Sequence, residues 1–412
     1  MEASTEAAVE PGLELTGPPS SSSQGTTSRE PGSWRRFYER YRPAILAYVA
    51  TRVLLIVVAI VDGWLHTRSF THEIGNWDGY WYQMLANHGY PGHVVHGQST
   101  LGFFPLYPML MAGLKQVLFG SAATAGLVIS TIGGLIAAIL IQQIATDWWG
   151  DAAGRRATVL FCVFPGSVVF TMVYSEGILI PLAIGSLLAL GRRRWLLAGV
   201  LAGFATATNA TGLALIIALG IGALRQIKRS SDAGEPILDR HTLRPLLAPI
   251  LSLTGIVAFG IYLWRHTGSA TASLTAQRVG WHEKTDLFAV VHLVTRLAKE
   301  VSFKHFDQPT INLNYPVGLV GVVVLVIGLV LLCRRRGWIS FEALAYTLGV
   351  SYLMVTSEYV PPNPRLLITA FPVVIVFARY IKGRRFKWLV AVMTLLLIEL
   401  SALTFVGVTV RP

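Results

Sequence analysis

In a chain with few charged side chains, one carboxylate stands out among aromatic rings, in the run Trp77-Asp78-Gly79-Tyr80-Trp81-Tyr82. A carboxylate just outside an apolar segment is the kind of group that can take a proton from an acceptor hydroxyl. A second acid, Glu176, follows Tyr174 and Ser175, and Asn209 stands in a polar break between two apolar runs. Farther along come Gln277, Arg278 and Trp281, then Lys304, and then Arg365 after three prolines. Cationic groups suit an anionic leaving group, and a guanidinium can hold a phosphate through two parallel hydrogen bonds. Asp78 meets the first need, and Arg365 with Lys304 or a histidine meets the second. None of these residues is specific alone; the signal is their convergence.

Each also has a plainer reading. Trp77, Tyr80, Trp81 and Tyr82 are what an interfacial aromatic belt contains. Glu176 could cap a helix or sit at a membrane boundary, and Arg365 could anchor to lipid headgroups. Arg52 is expected to snorkel from the first apolar helix to the inner headgroups. Glu399, deep in the last apolar run, is either a functional group or the partner of a hydrogen bond to a neighbouring helix. His66, His72, His88, His93 and His96 crowd the same stretch as Asp78, but only His93 and His96 lie three apart, and no metal site is expected.

The elements that must position these residues are membrane helices. Of 412 residues, 53% are hydrophobic and 14% charged, and the mean hydropathy is +0.55. A soluble domain carries about 25% charged residues, so this chain cannot cover a soluble surface. Apolar runs such as 122–145, 245–264, 317–332 and 388–410 are each long enough, alone or with their flanks, to cross a hydrocarbon core about 30 Å thick. The net charge of +12 falls in short clusters between those runs, as membrane topology requires, and does not point to nucleic acid. Cys162 and Cys333 both lie within or at the end of apolar runs, so neither a disulfide framework nor a cysteine zinc site is indicated. Residues 1–33 are rich in Ser, Pro, Gly, Thr and Glu and read as a disordered cytoplasmic tail. No cleavable signal peptide is expected; the first apolar helix serves as its own insertion signal.

Orientation follows from the arginines. Six basic clusters, beginning at Arg35, Arg155, Arg192, Arg225, Arg334 and Lys382, become cytoplasmic together only if each adjacent pair encloses an even number of crossings. Four intervals pass with a hairpin each. The interval from Arg42 to Arg155 holds a first span, a polar loop and two apolar pieces, and three crossings would break the parity. The piece at 101–119 carries Pro105, Pro108 and Lys115 and is therefore assigned to a juxtamembrane or re-entrant helix. The expected fold is an all-α polytopic bundle of about ten or eleven transmembrane helices over residues 34–412. Its first outer loop covers about 65–121 and a long outer loop about 265–313. This topology gathers Asp78, Glu176, Asn209, Gln277 and Arg365 on the non-cytoplasmic face.

These residues carry a resemblance. Trp77-Asp78-Gly79-Tyr80-Trp81-Tyr82, then Gly89-Tyr90, then Phe103-Phe104-Pro105-Leu106-Tyr107-Pro108 resemble the first outer loop of PIG-V-type mannosyltransferases of the GT-C superfamily. Phe164-Pro165-Gly166-Ser167 with Tyr174-Ser175-Glu176 is similar to that family's second signature. Ala276-Gln277 with Trp281, and Pro364-Arg365-Leu366-Leu367 before Phe371-Pro372, resemble later features of bacterial members. The resemblance implies a polyprenyl-phosphate sugar donor, typically of mannose, and inverting transfer on the outer face. It implies Asp78 as catalytic base, with juxtamembrane helices in its loop. Glu176 would position the acceptor or support that loop. One departure is Thr208-Asn209-Ala210-Thr211-Gly212, where the family usually has an arginine; Arg365, Arg278 or Lys304 would then have to supply the guanidinium or ammonium. No cofactor is implied. The acceptor is a glycolipid, a polysaccharide or a protein. The membrane is the plasma membrane in a bacterium and the endoplasmic reticulum in a eukaryote.

Two other classes compete. A transporter or flippase usually places ionisable groups near the bilayer midplane and repeats its halves, and neither pattern is evident here. A non-catalytic membrane subunit retaining the fold is the third reading, and Asn209 speaks for it.

Overall fold

A computed structural model describes residues 33–234, 236, 243–301, 312–335 and 337–405. The proposed tail at 1–33, all but Ser33, lies outside the described residues, as does Lys304. Contacts divide the chain into a short unit, residues 1–40, and a main unit, residues 41–412. In the first, Arg35 Nε donates to Glu39 Oε1 at 3.0 Å across one helical turn.

The described residues are mostly helical and contain no β-strand beyond one isolated bridge between Thr285 and Ser357. Helix α1 (Ser33–Leu65) is followed by three short helices, α2 (Phe70–Ile74), α3 (Asp78–His88) and α4 (Leu106–Val117). Next come α5 (Ala122–Trp149), α6 (Asp151–Val163), α7 (Glu176–Gly191), α8 (Trp195–Thr206) and α9 (Ala214–Asp232). After α10 (Leu247–Ser252) and α11 (Thr254–Thr267), the stretch to residue 313 carries α12 (Ala272–Thr275), a π turn over Ala276–Gly280 and α13 (Ala289–Val301). The chain closes with α14 (Asn314–Cys333), α15 (Phe341–Val355), α16 (Pro364–Thr369), α17 (Phe371–Ile375), α18 (Phe377–Tyr380) and α19 (Gly383–Phe405).

Among the described residues, six helical stretches are long and apolar enough to cross a membrane, and the bent pair Asp151–Val163 and Pro165–Thr171, broken by 71°, makes a seventh if it is one span. The break has a local cause: Phe164 precedes Pro165, which disfavours helical backbone, and it is extended at φ −63°, ψ 136°. Four shorter apolar helices, Glu176–Gly191, Trp195–Thr206, Phe341–Val355 and Phe371–Tyr380, accompany them. The protein is therefore an all-α polytopic membrane protein, and the expected eleven crossings require that these four short helices cross as well. The piece at 101–119 forms a 3-10 turn and the 12-residue α4, which is not among those four apolar helices.

The core is built from small residues and rings. Gly133 on α5 lies where a Cβ would run into the carbonyl oxygen of Gly177, and a Cβ on Gly177 would meet Ser130 Cα at 2.5 Å. Two backbones therefore touch where α5 crosses the start of α7. That close approach leaves the first residue of α7, Glu176, fully inside the protein.

Two expectations fail. Arg52 does not snorkel: it is buried, donates from Nη1 to Ser167 O and Thr171 Oγ1 at 2.7 Å each, and packs over the Tyr48 ring. The bend after Val163 brings those carbonyl and hydroxyl oxygens to it, so the arginine ties the broken span to α1. Glu399 reaches no neighbouring helix; it is exposed on α19 and forms no hydrogen bond among the described residues.

Glu73, on α2, is also completely buried, and neither carboxyl oxygen has a hydrogen-bond partner among the described residues. Burial, and then the nearby Asp62, lift its pKa above the usual carboxyl value. A raised carboxyl pKa means that its stability contribution is full below about pH 4.5 and is lost as pH rises through the folded value. Glu73→Gln is therefore expected to raise the thermal midpoint at pH 8 and leave it nearly unchanged at pH 4. Scanning fluorimetry at both pH values checks this, and an equal loss at both would refute it.

Candidate active site

Both acids singled out in the sequence stand at the first residue of a helix, Asp78 on α3 and Glu176 on α7. A helix start favours negative charge, because its unpaired N–H groups form the positive end of the helix dipole. Arg365 stands at the second residue of α16, after Pro364 and the N-cap Asn363, whose side chain accepts from Leu366 N. Gly166 allows this approach: a Cβ there would collide with the carbonyl oxygen of Pro364. The sequence Pro165-Gly166 thus serves twice, breaking a span and admitting the element that bears the arginine.

The three charges meet. Arg365 Nη1 lies 2.6 Å from Asp78 Oδ2, and Arg365 Nε donates to Glu176 Oε1 at 2.7 Å. The guanidinium also covers the Tyr174 ring at 4.8 Å. Burial opposes its positive charge, but the Asp78 and Glu176 carboxylates outweigh that and hold its pKa above the usual arginine value. Two carboxylates share one cation, so the cluster carries one net negative charge. Its members differ in access: the Asp78 side chain is 26% exposed and Glu176 only 1%. Asp78 can therefore meet a substrate, whereas Glu176 fixes Arg365 from behind.

Hydroxyls complete the inner ring. Asp78 N donates to Tyr174 OH at 3.3 Å, Tyr82 OH donates to Ser175 Oγ at 2.9 Å, and Asn209 Nδ2 reaches the same Oγ at 3.3 Å. Burial pushes the Tyr82 phenol well above its usual pKa, so it acts as a donor. Ser175, between two residues noted in the sequence, was missed as a hub. Its position beside Glu176 was the available signal. Behind it, Ser130 Oγ donates to Tyr174 O at 3.0 Å and lies 2.8 Å from Tyr107 OH.

Aromatic rings surround this network. Trp81 stacks on Phe103 and meets Trp281 edge-on, with ring centroids 6.2 and 5.0 Å apart. Gln277 Nε2 donates to Gly102 O at 2.9 Å, and Trp281 Nε1 to Ser99 O at 3.3 Å. The stretch after α11 is thereby pinned over the first loop. Trp77 does not line the cluster; its Nε1 donates to Thr404 O at 3.1 Å on α19. Its backbone is at φ 60°, a region that costs a non-glycine residue about 1–3 kcal/mol. The neighbouring Asn76 donates to Phe405 O at 2.8 Å, so α19 holds this turn at two points and Asp78 is set by it. Tyr80 is exposed and contacts Trp81 edge-on. Arg278 is exposed and makes no ion pair among the described residues, so the structure does not bring it to the cluster. Among those residues no group of three or more His, Cys, Asp or Glu is placed to hold a metal ion.

No family model matches the chain, and no curated protein matches it. Among solved structures it is similar to the oligosaccharyltransferase AglB of the archaeon Archaeoglobus fulgidus. The apo form aligns at 14% identity with a TM-score of 0.46, covering 91% of this chain and 56% of that one. A complex with zinc and sulfate aligns at 14% and 0.44, covering 89% and 53%. One with an inhibitory peptide and a dolichol-phosphate aligns at 12% and 0.43, covering 89% and 56%. The chain thus spans just over half the length of these proteins, and at these values the likeness carries no conclusion about activity.

The two ion pairs differ in burial and should differ in energy. Breaking a buried pair costs about 3–5 kcal/mol, while a partly exposed one contributes about 0–1 kcal/mol. Glu176→Gln is expected to lower the thermal midpoint clearly, and Asp78→Asn by much less. Unfolding of both variants in the same detergent checks the order; a larger loss for Asp78→Asn would reverse the assignment of roles.

Proposed function

We propose that this protein transfers a sugar, mannose by its resemblance to PIG-V-type enzymes, from a polyprenyl-phosphate carrier to an acceptor hydroxyl on the non-cytoplasmic face. The observation that carries this reading is the single guanidinium held between a buried carboxylate and a solvent-reachable one. A base and a phosphate-binding cation are then adjacent at the point where the first loop meets the start of α7.

The chemistry needs little else. The acceptor oxygen attacks the anomeric carbon while the bond from that carbon to the phosphate oxygen breaks. The electron pair leaves with the polyprenyl phosphate, and the acceptor proton passes to Asp78. One displacement inverts the anomeric configuration. A single carboxylate suffices because the phosphate departs as a stable anion without protonation. Paired catalytic carboxyls of the glycosidase kind are therefore not required. Arg365 uses Nη1 and Nε on the two carboxylates, and its remaining N–H groups are suited to the phosphate oxygens. Arg365 thereby takes the place of the arginine that Asn209 replaces, while Asn209 holds Ser175. Trp81, Tyr82, Tyr174, Gln277 and Trp281 form the walls, and Glu176 is a positioning residue. Trp77 sets the backbone of Asp78. Tyr80, Arg278 and Lys304 remain candidates for substrate contact.

Reconstituted protein given a labelled polyprenyl-phosphate sugar and membrane acceptors tests this. Loss of a general base costs about 10²–10⁴-fold. Asp78→Asn is expected to lose activity on that scale while keeping its fold, and Arg365→Lys to raise the donor KM more than it lowers kcat. Near-normal transfer by Asp78→Asn would exclude it as the base. Solute movement across the bilayer without a covalent product would replace the enzyme reading with transport.

A further inference from the structure

Helix α7, which carries Glu176 of the acid–arginine cluster at its start, reaches at its other end a cavity of about 500 Å³. Helix α7 starts at Glu176 and ends at Gly191, on the cavity wall; its 16 residues span about 24 Å. Helix α8 leaves the cavity at Trp195 and runs back toward Asn209, and α9 returns to it at Gly222 and Arg229. The cavity therefore lies on the side of the protein opposite the proposed chemistry, and no step of that chemistry uses it.

Its charge is unbalanced. Two acids face it, and each already has an arginine: Asp147 lies 3.3 Å from Arg192, and Glu342 2.9 Å from Arg225, which also covers the Phe341 ring at 4.4 Å. Arg193 and Arg229 also line it, and their side chains form no ion pair or hydrogen bond among the described residues. Arg193 stands at φ 55°, a left-handed backbone that disfavours a residue with a Cβ. Trp148, Trp195 and Trp338 supply apolar walls with indole edges. The start of α15, capped by Ser340, opens on the same space with its positive dipole end.

We infer that this cavity binds a phosphate anion, presented as the headgroup of an anionic phospholipid. Two guanidiniums with no ion pair among the described residues, and a helix start, are the groups that recognise phosphate. The membrane supplies the source. Helices α7 and α8 are about 24 and 18 Å long, shorter than a hydrocarbon core of about 30 Å. The turn that joins them bears Arg192 to Arg194, charged side chains that seek headgroup level at the end of a membrane helix. Tryptophans at that level are typical of a lipid interface.

The test is native mass spectrometry of the full-length protein in detergent, with phosphatidylglycerol, phosphatidylcholine or inorganic phosphate added. Each basic residue near an anionic lipid contributes about 1 kcal/mol, so removing two should cost about tenfold or more. The expected result is preferential retention of phosphatidylglycerol over phosphatidylcholine, lost in the double variant Arg193→Gln/Arg229→Gln. It should survive in Arg155→Gln, which removes an exposed charge outside the cavity. Equal retention of the two lipids, or an unchanged preference in the double variant, overturns the site. Equal loss in Arg155→Gln reduces it to general surface charge. Displacement of phosphatidylglycerol by millimolar inorganic phosphate would assign the cavity to a soluble phosphate and overturn the lipid source.

Discussion

One guanidinium shared between two carboxylates is the constraint around which the rest is arranged. Arg365 could not be buried alone, because desolvating an unpaired cation is prohibitive. Asp78 and Glu176 supply the opposing charge, and the Tyr174 ring supplies a face. Satisfying all three charges at once requires the starts of α3 and α7 and the short α16 to converge within hydrogen-bond reach. Much of the packing nearby serves that end. Gly133 and Gly177 let α5 press against the first turn of α7, and Gly166 lets Pro364 approach the broken span.

The arrangement also separates two tasks that the acids alone would confuse. Glu176 is sealed away, and a carboxylate with almost no exposure cannot exchange protons with a bound substrate without moving. Asp78 remains reachable because it sits on a loop helix rather than on a span. Its place is set from a distance, through the strained turn at Trp77 and the two bonds from Asn76 and Trp77 to the end of α19. The last helix of the chain therefore bears on the geometry of the first loop. A charged pair that must be rigid and an acid that must be accessible are met by one arginine with two faces.

Much of the fold was legible because membrane insertion imposes rules that act locally. Arginine clusters set an expected number of crossings, and the piece bearing Pro105 and Pro108 forms a short helix, α4. The candidate site was legible in its inner members, since Asp78, Tyr82, Tyr174, Glu176, Asn209 and Arg365 are all in one network. Ser175 escaped because a serine carries no signal until its neighbours are known. Arg52 and Glu399 were misread for a related reason. A charge in an apolar run finds its partner in another helix or finds none, and hydropathy is silent on which. Arg52 was met by oxygens freed at the Phe164 break, while Glu399 faces outward from α19.

By itself, the amino-acid sequence determined that this is a multi-spanning helical protein and which polar residues lie between its spans. Length, apolarity and the placement of arginine act over some twenty residues at a time, and no long-range contact is needed to apply them. Tertiary structure alone decided which of those polar residues touch. Arg365 and its partner Glu176 lie 189 positions apart in the chain, and the cavity ringed by arginines joins the ends of helices that are distant in sequence. Such pairings depend on which backbones can approach closely, and so on glycines whose meaning appears only when the facing helix is in place.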